Sequence, residues 1–207
     1  WLWINDQLVI FEGGLKRGPS PSGTYYDPVD IAPYLTKGTN TIAVLLWHFG
    51  KDGFSHINSG KAALLFEAIA PGLEIVSDAS WQCALYEAYQ NTEAPFPNYR
   101  MPESNIRFDA RQAITNWNRT SFEGSLPGAV CVGKAGKAPF GELVERPIPQ
   151  WKNSGLLSYV SVRESLRGDT LFCRLPYNAQ ITPYLKVEAE AGKTIHIRMD
   201  NYEGGSE

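Results

Sequence analysis

The segment from Thr24 to Trp47 constrains what this chain can fold into more than any other part of it. It reads as strand, turn, second turn, strand. Pro33 fixes its own φ and has no N–H to offer a ladder, so the chain must turn there. Gly38 permits the positive φ that the second turn needs. Thr41 to Trp47 is then a nearly continuous apolar run of strand length, rich in residues that suit a sheet. Ahead of this segment, Trp1 to Val9 reads as a short aromatic hairpin.

The same pattern of short strand-like runs broken by turn clusters continues to about residue 135 and predicts a β-sandwich. Lys61 to Ile69, Leu73 to Val76 and Ser80 to Tyr86 are strand candidates, with a turn at Pro71 and Gly72. Asp109 is placed to cap a short helix, with Gln112 three residues on. Residues 136–155 hold Gly136, Pro139, Gly141, Pro147 and Pro149 and read as a linker. Beyond it, Leu156 to Arg163 and Leu171 to Leu175 look like strands. Leu185 to Ala191 alternates apolar and charged residues, which predicts a strand with one buried face ending in a hairpin turn at Gly192 and Lys193. The expected organisation is one β-domain over 1–135 with its first strands missing, a linker over 136–155, and the beginning of a second β-domain over 156–207.

At 207 residues the chain can bury a sizeable core. A net charge of −3 without a Lys/Arg cluster excludes a nucleic-acid footprint, so no nucleic acid is expected as a partner. No run of about 18 apolar residues occurs, so no membrane-spanning helix is expected. Cys83, Cys131 and Cys173 are widely spaced and odd in number, which fits buried free thiols better than a disulfide framework. His48 and His56 share one loop but have no further ligand at metal-binding spacing, so no metal or other cofactor is expected.

No nucleophile elbow or phosphate loop occurs. Glycoside hydrolysis needs two carboxylates, but Asp27, Asp30 and Glu67 fall at turns or strand edges, where capping or solvation is the ordinary role. No catalytic residue is assigned. Asn118-Arg-Thr120 matches the glycosylation acceptor pattern, a short and frequent one. The aromatic content of 12% suits a sandwich core, and some of these rings are available to stack on sugars. The loop from Trp47 to His56 is the candidate ligand contact, with Trp47, Asp52 and His56 as carbohydrate-binding residues. It combines aromatic faces with groups that hydrogen-bond hydroxyls, and the alternative is a structural loop that caps the sandwich.

Several stretches, taken in order, resemble a known family. Ile4, Asn5, Asp6 and Val9, then Asp30, Ile31, Tyr34, Leu35, Gly38, Asn40, Thr41, Ile42, Ala43 and Val44, are similar to the jelly-roll accessory domains of glycoside hydrolases. Ser77-Asp-Ala-Ser-Trp-Gln82 looks like a strand entry of the same domains. Arg107-Phe-Asp-Ala-Arg111 with Trp117, Arg146-Pro-Ile-Pro149 and Asn58 to Phe66 resemble the N-terminal β-region of bacterial α-L-rhamnosidases.

The resemblance implies an all-β fold: a jelly-roll, galactose-binding-like β-sandwich followed by the start of a second β-sandwich domain. It implies a non-catalytic accessory part of an inverting enzyme that releases L-rhamnose from glycans, periplasmic or secreted. The acid and base carboxylates of that family sit on an (α/α)6 barrel, and nothing in this sequence reads as such a barrel, so none carries over. The implied partners are that barrel and a rhamnose-containing glycan. The alternatives are a free-standing carbohydrate-binding module and the sugar-binding domain of a β-galactosidase-like enzyme.

Overall fold

The computed structural model describes residues 1–11, 22–48, 50, 52, 58–91, 106–138, 140–177, 181 and 183–197. Among these, regular structure is strand and turn with single turns of 3-10 helix, so the chain is all-β in character. The strands are three or four residues long and form small separate sheets. The chain divides into two compact units, Trp1–Lys152 and Asn153–Glu207.

In the first unit, β1 (Leu2–Ile4) is the central strand of a three-stranded antiparallel sheet between β2 (Gln7–Ile10) and β4 (Ile42–Val44). The β1–β2 hairpin turns through Asn5 and Asp6 at φ +47° and +70°. Two positive φ values suit the right-handed twist of a two-residue hairpin, and Asn and Asp tolerate them best after glycine. Leu2 and Ile4 point to one face and are buried, Ile4 completely. Trp3 and its cross-strand partner Ala43 share the other face.

The turns between β3 (Thr24–Tyr26) and β4 follow the sequence. Pro33 sits inside one 3-10 turn, Ala32–Tyr34, and the Asp30 carboxylate accepts the Ala32 N–H at 3.0 Å. Gly38 has φ +97°. Asn40 closes this turn by accepting the Thr36 N–H at 2.8 Å and donating to the Thr36 and Gly38 carbonyls at 2.9 and 3.0 Å. Asn5 then ties the turn to the hairpin. Its amide donates to the Tyr34 carbonyl at 2.9 Å and the Asn40 side chain at 2.6 Å, and its oxygen accepts the Thr41 N–H at 3.0 Å. Replacing Asn5 with alanine removes these three bonds and places at φ +47° a residue that tolerates the left-handed region less well than asparagine. The expected cost is about 2–3 kcal/mol, read as a lower urea midpoint at constant slope; an unchanged midpoint contradicts the role given to Asn5.

Further along, β5 (Glu67–Ala70) and β6 (Leu73–Val76) form a hairpin with the expected turn at Pro71 and Gly72, but the strand expected over Lys61 to Ile69 is confined to β5, and residues 61–66 carry no ladder. Ser80 to Tyr86 is not a strand; it contributes a single bridge, Gln82 to Gly128. β7 (Tyr89–Asn91) pairs antiparallel with β8 (Ile106–Phe108). Asp109 does act as an N-cap, but the helix it caps is one 3-10 turn, Ala110–Gln112.

The segment 136–155, read as a linker, carries β9 (Leu143–Glu145), which pairs in parallel with β3. Its glycine and proline content marks turns around the strand, not a free tether. Gly141 shows why. It has φ +66°, and a β-carbon there would collide with the backbone of Ser22.

The second unit holds one hairpin, β10 (Ser161–Glu164) with β11 (Leu171–Arg174). The expected strand over Leu185 to Ala191 does not form; the described residues 183–190 have no ladder and are exposed. Alternation specifies a strand only where one face is buried, and among the described residues of this unit none is buried. The cysteines also depart from expectation. Cys83, Cys131 and Cys173 are free, as expected, but exposed instead of buried. Their surroundings explain it: Cys173 lies on the exposed β11, and Cys83 and Cys131 lie outside regular strands. Among the described residues no helix is long and apolar enough to cross a membrane.

Candidate functional site

The loop chosen from sequence is only partly within the described residues; His56 lies outside them. Trp47 lies past the end of β4 and is 41% exposed, so it is no core residue, and its ring is open to contact. The Asp52 carboxylate accepts the Asn58 N–H at 2.7 Å, while the Asn58 amide reaches the Gly50 carbonyl at 2.9 Å and its oxygen accepts the Gly60 N–H at 2.8 Å. Asp52 thus helps hold the loop's own backbone.

A second arrangement emerges from the fold. Trp3, on the other side of β1 from Leu2 and Ile4, meets Trp117 edge-on with ring centroids 5.1 Å apart. Trp117 packs against Tyr86 at 6.1 Å, and Tyr86 meets Tyr89 at 5.3 Å and Phe108 at 6.5 Å, all edge to face. Tyr89 and Phe108 are direct cross-strand partners on β7 and β8, tilted at 52° with centroids 4.7 Å apart. The chain of rings therefore runs from the three-stranded sheet to a pair that is half open to solvent, 47% for Tyr89 and 48% for Phe108. Aromatic pairs in these geometries add stability beyond area burial and lock one another's orientation. Burial pushes the Tyr89 hydroxyl above its ordinary titration range, and the neighbouring Tyr86 adds to this.

Polar groups flank the pair. The Asp109 carboxylate accepts from the Arg111 guanidinium at 2.8 and 2.7 Å and from the Arg111 N–H at 3.1 Å. Those bonds to Arg111 hold the Asp109 carboxyl well below the usual carboxylate range. Its cap is therefore fully present above the ordinary carboxylate titration and is lost only as pH falls through the lowered value. Arg111 keeps 84% of its side chain exposed.

In the sequence, Asp109 stands out as a cap, Phe108 and Trp117 stand out only through a resemblance, and Tyr86 and Tyr89 do not stand out as a site. The available signal is the aromatic spacing Tyr86–Tyr89, which says nothing alone because its partners sit about 20 to 30 residues on, across a pairing no local pattern specifies.

The other motif residues are structural. Ser77 accepts the Phe66 N–H on its hydroxyl at 3.0 Å, Asp78 caps Ser80 at 2.8 Å, and the Trp81 indole donates to the Val76 carbonyl at 2.9 Å. Thr120, the last residue of the glycosylation pattern, gives its N–H to Asp6 at 2.7 Å. Asp27 pairs with Arg146 through two bonds of 2.6 and 3.1 Å. Among the described residues no group of three or more His, Cys, Asp or Glu is placed to hold a metal. No family model, curated protein or solved structure matches this chain.

Proposed function

We propose that this chain is a non-catalytic accessory β-region of a glycoside hydrolase, an α-L-rhamnosidase releasing L-rhamnose from glycans. In this reading residues 1–135 form a jelly-roll, galactose-binding-like domain, a second β-domain starts near 156, and an (α/α)6 barrel is the partner. One observation carries it: polar residues of the family-like motifs hydrogen-bond to the backbone and fix turns. Asn5 and Asn40 fasten turns, and Asp30 and Asp109 cap them. A pattern shared with accessory domains and used for scaffolding supports an accessory role. The chain is expected to release no aryl group from an aryl α-L-rhamnoside. Turnover that disappears when one of its own carboxylates is replaced overturns the reading.

The braced pair Tyr89–Phe108 favours a second reading, a carbohydrate-binding module. A pyranose ring presents apolar C–H groups that stack on aromatic faces, and the exposed Arg111 donates to hydroxyls. Replacing Phe108 with alanine is then expected to weaken binding of a rhamnose-containing oligosaccharide about tenfold, the equivalent of roughly 1.4 kcal/mol. Calorimetry on the wild type and on Phe108→Ala, Tyr89→Ala, Trp47→Ala and Asp52→Ala separates the two candidate surfaces. Wild-type affinity in both the Phe108 and Tyr89 variants removes this pair from consideration, whatever the hydrolysis assay shows.

A further inference from the structure

We draw no further inference here: the strongest candidate, the exposed apolar patch of Val162 and Leu171 on one face of the β10–β11 hairpin of the second unit, carries nothing because nothing in the structure shows what covers it.

Discussion

Replacing Arg146 with alanine is expected to destabilise the first unit by about 3 kcal/mol, the usual result of removing one partner from a largely buried ion pair. The pair Asp27–Arg146 keeps only 17% and 15% of its side-chain surfaces exposed, and two bonds join the fork to the carboxylate. Arg146 also lies over the Tyr25 ring, 5.7 Å from its centroid. These contacts matter because the sheet they fasten is small: two parallel three-residue strands, β3 and β9, about 119 residues apart in sequence. Closing so long a connection costs loop entropy, and few ladder bonds offset it. The backbone adds Thr24 N–H to the Glu142 carbonyl at 2.8 Å and Arg146 N–H to the Tyr26 carbonyl at 3.0 Å.

Gly141→Ala attacks the same pairing by a different route, forcing a β-carbon into the Ser22 backbone at positive φ. Urea unfolding of both variants checks the claim. If Arg146→Ala and Gly141→Ala unfold at the wild-type midpoint, β9 contributes nothing to the first unit. If Arg146→Lys recovers most of the loss, charge matters more than the planar fork.

This pairing also marks where the sequence stops being legible. The β1–β2 hairpin, the Pro33 and Gly38 turns, the β5–β6 hairpin and the Asp109 cap are written in neighbouring residues, because each is a local φ requirement or a side chain reaching its own backbone. β9 is not. Three residues between glycines and prolines look like linker until their partner is known, and that partner is over a hundred residues away. The absent strand at 185–191 errs the other way. Its alternation is clean, but alternation records only which side chains would share a face, not that a sheet exists to bury them. The aromatic cluster shares the difficulty of β9: Trp3, Tyr86, Tyr89, Phe108 and Trp117 meet only once the strands have paired. The loop from Trp47 to His56, being contiguous, is easier to read from sequence.

The other large effect is expected at Ile4. It is completely buried in the central strand of the three-stranded sheet, between Gln7 on β2 and Ile42 on β4. Truncation to alanine removes three carbons from a site flanked on both sides by paired strands, where little can move in to fill the space. The expected cost is about 2–5 kcal/mol, against about 0.5–1.5 kcal/mol for Ile4→Val. The ratio is diagnostic, since a site that collapses freely brings the two variants together.

The same strand sends Trp3 to the opposite face, where it starts the ring contacts that end at Tyr89 and Phe108. Ile4 is not a member of that chain of rings, so its loss is expected to lower the unfolding midpoint while leaving oligosaccharide affinity of the folded protein unchanged. Trp3→Ala is the complement: it removes the first brace and is expected to weaken any binding at the Tyr89–Phe108 pair as well as stability. Loss of affinity in Ile4→Ala equal to that in Trp3→Ala, measured well below both unfolding midpoints, would show that the sheet as a whole, and not the ring contacts, holds the exposed pair in place.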